Sequence, residues 1–423
     1  MNYQKIIDHM IADYKTGLTL YDQMQRYYLG DHDITLKGKD AVNKVVVDNF
    51  VNKFITEEVM YSLGNPLAYV SMTEDSKIAD AVYSETFHWK DNHNQNLMRT
   101  LEIFGKAYML HYVDYKGRFC ERILSPMQAI VYTDDNDVPM IFIYFYKKKF
   151  DNDEYRDIYY PDGTIETYRN NSLIASRSHI FKGCPVSVCE MENIEDTIFF
   201  KIHTQQDRYN QILTDQCSII ESYKNAYLLI TGAPFSKEQA EMIKEKQIIN
   251  IPNNVSNGSP VKWIFKDVPD TFIQNMIKNL KDSMYSVTNH IDGNEKLQSN
   301  TSGSALRNRL VFLEQRCNLM LDIVIDAVYD RIARLFEYLD VKGMHFDVKD
   351  IKVVASPSIP KDEIGTVQML SQLGIGTNIS LETALSLLPF VENPANKISK
   401  IKQERKNNQS IELDKIDDDS DFE

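Results

Sequence analysis

The sequence predicts an α+β fold, on three observations. Apolar residues recur at helical spacing through residues 3–105. From 106 to about 188 the period drops to two, in short runs rich in tyrosine and phenylalanine and separated by turn residues. From 196 onward the helical period returns. Two long patterns flank a small insertion, and a third, longer one follows a polar loop.

The elements follow in chain order. Residues 3–28 form a helix with Ile6, Ile7, Met10, Ile11, Tyr14, Leu18, Tyr21 and Met24 on one side, stopped by Gly30. A polar connection leads to a helix over 43–61, ended by Gly64-Asn65-Pro66, and a short strand over 67–72. Helices follow over 75–92 and 94–105. Seven strands are expected: 107–113, 117–123, 129–132, 140–150, 154–160, 165–169 and 173–176. Together they make an antiparallel β domain. A helix over 196–225 leads to an apolar stretch at 227–232, a short helix over 236–246, and strands over 248–251 and 261–265. A second long helix spans 268–291, with Pro269 in its first turn, where a missing N–H costs nothing. Its apolar residues (Ile273, Ile277, Leu280, Met284, Val287, Ile291) step by four and three, the spacing of a seam against another helix. If the two long helices pair antiparallel, the insertion between them is a tip on a two-helix stalk. Residues 292–303 have almost nothing to bury. A helical pattern then runs over 304–339, roughly 50 Å at 1.5 Å per residue. A strand over 351–354 and helices over 362–373, from Ser380, and over 397–407 complete the chain. The tail from Ser410 is too acidic to fold alone.

Composition narrows the function classes. At 423 residues the length prior gives roughly two to four structural units. A formal net charge of −14 excludes a basic coat that wraps nucleic acid, though not a channel through which DNA slides without sticking. The five cysteines are odd in number and scattered without a CxxC pair, so they read as buried or free thiols rather than zinc ligands or disulfides. The first residues lack a basic and then apolar leader, and no apolar run approaches about 18 residues, so neither a signal peptide nor a membrane span is expected.

Residues that carry chemistry are few. Walker A, GxSxG, HExxH and dinucleotide patterns are absent from the sequence. His88 and His93 lie five apart on a polar helix, and no metal site is expected there. The 134–137 aspartate cluster lacks EF-hand spacing and reads as a β-turn. Residues 292–303 read either as a surface turn or as a loop that reaches a ligand. Gln298, Ser299, Asn300 and Thr301 offer hydrogen bonds without charge, and Lys296 adds one cation. Lys278 and Lys281 lie off the apolar seam, on a solvated face or on one that meets a polyanion. Trp263 and Phe265 in the insertion are strand-core residues or interface anchors.

In its order of elements the chain resembles the portal (head–tail connector) proteins of tailed bacteriophages, in the family common in phages of Gram-positive bacteria. The resemblance covers nearly the whole chain. It is carried by Tyr28-Leu29-Gly30, Asn49-Phe50-Val51-Asn52-Lys53-Phe54, Gly64-Asn65-Pro66, the run from Ile219 to Tyr227 (Ile-Ile-Glu-Ser-Tyr-Lys-Asn-Ala-Tyr), Ser302-Gly303-Ser304-Ala305-Leu306, Ser358-Ile359-Pro360 and Ile379-Ser380-Leu381-Glu382-Thr383.

The resemblance implies a division into regions. Residues 1–195 form a wing. Residues 196–226 and 268–291 are stem helices, and 227–267 are a clip. A tunnel loop follows at 292–303, then a long helix and wing-return strand at 304–360, a short crown at 361–407 and a disordered acidic tail at 408–423. It further implies a ring of about twelve copies around a double-stranded DNA channel, at one capsid vertex of the virion and in the host cytoplasm during assembly. The ring packages and ejects the genome. Its partners would be terminase, major capsid and scaffold proteins, and head–tail connector or adaptor proteins, with no membrane, cofactor, metal or enzymatic activity. Lys278, Lys281, Lys296, Gln298, Ser299, Asn300 and Thr301 would face the channel, where phosphate contacts carry little sequence information. Trp263 and Phe265 would lie at the clip interface. The alternatives are a monomeric metal-dependent nucleic-acid enzyme and a cytosolic helical scaffold.

Overall fold

The structure, a computed structural model, describes residues 3–37, 45–73, 77–223, 227–231, 248–251, 261–264, 270–293 and 303–358, with single positions beyond. Contacts divide the chain into a large unit, Met1–Pro357, and a C-terminal unit, Ser358–Glu423. In the second unit Leu370 and Ala384 are buried. Ala384 N–H donates to the Ser380 carbonyl at 2.9 Å, as at the helix start expected from Ser380. The expected helices over 362–373 and 397–407 lie almost entirely, and the acidic tail wholly, outside the described residues.

Helix α1 spans Tyr3–Leu29, as its spacing predicts. It ends in a Schellman turn, with Asp31 N–H donating to Arg26 and Gly30 N–H to Tyr27. Gly30 takes φ +87°, and a side chain there would meet Asn49 Nδ2 at 3.3 Å. Asn49 and Asn52 both donate to the Tyr28 carbonyl at 3.0 Å. A five-residue helix α2, Asp33–Lys37, occupies part of the expected polar connection.

Helix α3 spans Phe50–Leu63, not 43–61. Asn49 is its cap, accepting from Asn52 N–H at 2.9 Å. Residues 45–49 are extended because side chains one turn apart on helix α6 (Ile198–Tyr223) replace the helical hydrogen bonds. Val46 N–H donates to Thr214, Asp48 N–H to Asn210 and Phe50 N–H to Gln206, whose amide returns a bond to the Asp48 carbonyl at 2.7 Å. Strand β1, Ala68–Ser71, comes next. Helix α4, Lys77–Thr86, stops well before 92. Trp89 then turns inward against Phe119. Helix α5, His93–Phe104, ends on Gly105 at φ +72°.

The β region is antiparallel, as expected, in two sheets. Strands β2 (Lys106–Val113), β3 (Phe119–Leu124) and β9 (Val186–Glu190) form one, in the order β3-β2-β9. Strand β9 was not anticipated as an element of its own. It pairs with β2 across some eighty residues of chain, with Val186 opposite Leu110. The other sheet is a meander, β4 (Ala129–Thr133), β5 (Pro139–Lys147), β6 (Glu154–Tyr159), β7 (Thr164–Arg169) and β8 (Ser172–Ser178). The start of α1 packs on it through Ile7 and Met10 against Ile141, Ile143 and Ile158. Tyr14 stacks on Phe145 at 4.0 Å and donates to the Met127 carbonyl.

Strands β10 (Tyr227–Thr231), β11 (Ile248–Ile251) and β12 (Val261–Ile264) make a small mixed sheet between α6 and helix α7, Asp270–Val287. The helix expected over 236–246 lies outside the described residues. Gln205, near the start of α6, donates to Ser283, near the end of α7, at 3.2 Å, so the two helices run antiparallel. Helix α8, Gly303–Val341, is 39 residues long and ends in a second Schellman turn on Gly343. Strand β13, Ile351–Val354, returns to pair with β1.

One large core joins α1, α3, α5, β2, α6, α7 and α8 around Met24, Phe54, Leu97, Met284 and Val324. A charged lock fastens α8 to the first sheet. Arg331 is 2 % exposed and grips Glu121 of β3 with both ends of its guanidinium, at 2.7 and 2.8 Å. It also donates to Asn94 and lies 5.3 Å over the Trp89 ring. His93 contacts the same carboxylate at 2.8 Å, and His111, opposite Glu121 in the strand register, at 3.4 Å. Burial works against the Glu121 charge, but Arg331 and His93 more than offset it and hold the carboxyl ionised.

Candidate functional site

Helix α7 stops at Val287, four residues short of the expected end. Asn289 is the reason. It adopts φ +60° and closes a third Schellman turn, with His290 N–H donating to Tyr285 at 3.0 Å and Asn289 N–H to Ser286 at 3.3 Å. Asparagine is the residue other than glycine best suited to that position. The chain from 290 to 293 therefore leaves the helix axis at a fixed angle.

The two lysines of α7 have different surroundings. Lys278 is exposed, on a face with Gln274, Asn275 and Asn279. Lys281 pairs with Asp292 at 2.5 Å and lies 5.8 Å over the Tyr285 ring, so its charge is matched within the chain. The Tyr285 hydroxyl also contacts Lys53 Nζ of α3. Lys296, Gln298, Ser299, Asn300 and Thr301 lie outside the described residues, as does Phe265. Trp263 sits in β12 opposite Leu228 of β10. The structure thus brings Lys278 and Lys281 onto one helix, next to the point where the chain enters 294–302.

Beneath that point lies a charged cluster that pattern reading missed. Glu58 of α3 and Glu102 of α5 are completely buried, and Arg316 of α8 is 6 % exposed. Arg316 Nε donates to Glu58 Oε1 at 2.7 Å, Nη2 reaches Glu102 Oε2 at 3.4 Å, and Nη1 donates to the Asp196 carbonyl at 3.2 Å. His290 stacks on Phe54, with centroids 4.2 Å apart, and its Nε2 is 3.6 Å from Glu58 Oε1. Burial raises the Glu102 pKa well above the ordinary carboxylate range, and the Glu58 charge adds to this against the pull of Arg316. Burial lowers the His290 pKa, so its ring is neutral. The signal was present in the sequence. Each of these charges interrupts an apolar seam: Glu58 between Ile55 and Val59, Glu102 between Leu101 and Ile103, Arg316 between Leu313 and Met320.

The other residues weighed for chemistry are placed apart. His88 Nε2 is 3.4 Å from Cys120 Sγ, whereas His93 serves the Glu121 lock. Asp134 caps its own turn by accepting from Asn136 and Val138 at 2.9 Å, the β-turn expected. Among the described residues, no group of three or more metal-ligating side chains converges, and no helix is long and apolar enough to cross a membrane. All five cysteines are free, with Cys184, Cys189 and Cys317 buried.

The chain is 22 % identical over 422 residues to the portal protein of Bacillus phage SPP1, covering 90 % of this chain and 82 % of that one. Among solved structures, it is similar to a chain in the neck of an empty gene transfer agent particle, with a TM-score of 0.48 at 11 % identity, covering 80 % of this chain and 90 % of that one. A chain from the virion of a native gene transfer agent particle gives a TM-score of 0.45 at 10 % identity, covering 80 % and 89 %. The family profile described as phage portal protein, SPP1 Gp6-like, matches residues 7–410. The chain belongs to that family of phage portal proteins.

Proposed function

We propose that this chain is the subunit of a ring of about twelve copies that encloses a channel for double-stranded DNA at one vertex of a viral capsid. The observation that carries this reading is the family match over residues 7–410, nearly the whole chain. The plan of the chain supports the finer assignment. The antiparallel α6–α7 pair is the stem, and the mixed sheet β10–β12 between them belongs to the clip. The helices and antiparallel sheets before residue 196, with β13 returning to β1, form the wing. Residues 292–303 are the tunnel loop and 361–407 the crown. The protein is not an enzyme. A separate terminase supplies the energy of packaging and docks on the clip, which head–tail connector proteins occupy afterwards. Capsid and scaffold proteins surround the wing, and the ring remains in the virion.

Surface chemistry supports both the ring and the channel. Phe312 and Leu319 lie one heptad apart on α8 at 62 % and 64 % exposure, and Phe272 of α7 is 61 % exposed. A neighbouring copy in a head-to-tail ring would cover such residues. Lys278, exposed and outside the Lys281–Asp292 pair, is the α7 cation presented to phosphate. Native mass spectrometry of the purified full chain, alone and with its scaffold and capsid proteins, tests the reading. Closed rings of about twelve are expected. A dimer with a two-fold interface as the sole assembly would contradict it.

A further inference from the structure

The turn that ends α7 and the packed part of α8 are tied to one side chain of α3. Glu58 meets His290 on one side of 294–302 and Arg316 on the other. Arg316 adds the Asp196 carbonyl at the foot of α6 and Glu102 of α5. Phe54, one turn before Glu58, carries the His290 ring on its face, and its carbonyl oxygen lies 3.3 Å from Nε2 of that ring. Four helices and the turn after α7 therefore converge on a single buried knot.

The charges of that knot do not balance. Two carboxyls face one guanidinium, and burial lowers the His290 pKa, so that ring adds no charge above its ordinary imidazole range. A second ionised carboxylate with no matching cation would be strongly destabilising at such a depth. The hydrogen bonds do not balance either. Glu58 Oε2 and Glu102 Oε1 are buried and lack a donor, although buried acceptors are ordinarily satisfied. One proton corrects both faults, by removing the surplus charge and supplying a donor from Glu102 to Glu58, the carboxylate in hydrogen-bond contact with it. The other titratable or charged groups facing the knot do not supply this. On α3, Lys53 is engaged by Tyr285 and by Glu57, whose own carboxylate stands 3.9 Å from His290 Nε2 and brings no cation. At the start of α6, Lys201 pairs with Asp196 at 3.7 Å. After α7, Asp292 holds Lys281, and on α8 the buried Cys317 thiol is pushed up by desolvation and stays neutral.

We propose that Glu58, Glu102 and Arg316 are positioning residues that share one proton, and that this protonated knot sets where the chain leaves α7 and where α8 begins its packed course. The inference rests on the channel reading for its functional meaning, because it concerns the root of the segment assigned to the channel. Its test uses neither DNA nor ring assembly, so either reading can fail without the other. Glu102 carries the proton and Glu58 the charge that Arg316 neutralises. The folded pKa of Glu102 is raised above its unfolded value. The stability it contributes is therefore fully present below the ordinary carboxylate range and is lost as pH rises through the folded pKa. The longest tie in the knot is that of His290 to Glu58, at 3.6 Å, so the 284–290 turn is the first part to loosen.

The experiment compares full-length wild type with Glu102→Gln and Glu58→Gln from pH 5.5 to 9, by thermal melting and by hydrogen exchange of the 284–293 peptide at matched pH. Glu102→Gln keeps the shared hydrogen bond and cannot ionise. Its melting midpoint is expected to rise relative to wild type as pH increases, and its 284–293 peptide to exchange several-fold more slowly than wild type at pH 9 and equally at pH 5.5. Glu58→Gln is expected to lower the midpoint at both ends of the range, since it strips Arg316 of its counter-ion. Parallel midpoints for Glu102→Gln and wild type across the range would overturn the proposal. Should Glu102→Gln fail to fold, an infrared titration of wild type gives the answer. A protonated carboxyl stretch persisting above pH 7 is expected, and its absence would equally overturn the shared proton.

Discussion

Two buried arginines of α8 hold the molecule together by opposite means. Arg331 faces one carboxylate, grips it with two parallel bonds and donates further to Asn94 and Met109. Arg316 faces two carboxylates and leaves an oxygen on each without a donor. The first arrangement is closed around the carboxylate: one guanidinium matches its charge, both of its oxygens accept hydrogen bonds, and two histidines stand beside it. The second is matched only if it holds a proton. One end of a single 39-residue helix is thus fixed to a sheet regardless of ordinary alkaline change, while the end beside the polar segment is sensitive to it. Buried ion pairs are weak arguments for net stability, but breaking one side of such a pair is costly, so substitutions at the two sites should separate the roles.

The largest effect is expected at the closed site. Arg331→Ala leaves the Glu121 carboxylate buried beside two imidazoles, and a loss of about 3–5 kcal/mol is expected in urea unfolding. A loss below about 1 kcal/mol would mean that the lock contributes no more than a surface pair. Next comes pH, where the two sites should respond in opposite directions. Burial pushes the His111 imidazole down to about 4 from its ordinary 6.5. Its contribution is present above pH 6.5 and is lost as the pH falls toward 4. Unfolding midpoints should therefore drop on acidification through His111, less steeply in His111→Gln, whereas the Glu102 contribution drops on alkalinisation. If Glu102→Gln and His111→Gln changed the same limb, the contrast between the sites would be lost.

Smaller effects test the ends of the helices. Gly30→Ala forces a side chain into φ +87° against Asn49, and should cost about 1–2 kcal/mol by the left-handed strain. Asn289→Gly should be neutral or slightly stabilising. Asn289→Ala should cost about 1 kcal/mol, with faster hydrogen exchange confined to the end of α7. Smallest for stability, and most specific for function, is the lysine pair. Lys278→Ala should leave the melting midpoint unchanged and lower DNA retention, reducing the salt dependence by about 0.9 in log–log slope per lost phosphate contact. Lys281→Ala should leave the slope unchanged, because Asp292 already neutralises that charge.

Legibility in the sequence followed the range of the interactions. Helix α1, the β meander and α8 were readable because period, glycine stops and turn residues are local. Gly30 marked the end of α1 for the same reason. The early start assigned to α3 came from a non-local cause. Val46 and Asp48 belong to an extended run only because Thr214, Asn210 and Gln206, far along the chain, donate to and accept from it. Strand β9 was obscured in the same way, since its partner β2 is remote. The premature end of α7 was legible in principle, because Asn289 is a left-handed terminator, yet apolar spacing carried the expectation on to Ile291. At the site, Lys278 and Lys281 were visible as residues off a seam, but their difference was not, since it depends on where the chain turns after His290. Glu58, Glu102 and Arg316 were legible only as charges inside apolar seams. Such a pattern says that something buried must match them, and only the packing of α3, α5 and α8 says what.

A reconstruction of the assembled full-length protein by electron cryomicroscopy tests the channel reading most directly. A closed ring is expected, with the α6–α7 pair around a central hole, the Lys278 face turned to the lumen, and Phe312 and Leu319 covered by the adjacent copy. A ring whose lumen is lined by other elements, with Lys278 on the outer surface, or a two-fold dimer in place of a ring, would contradict it.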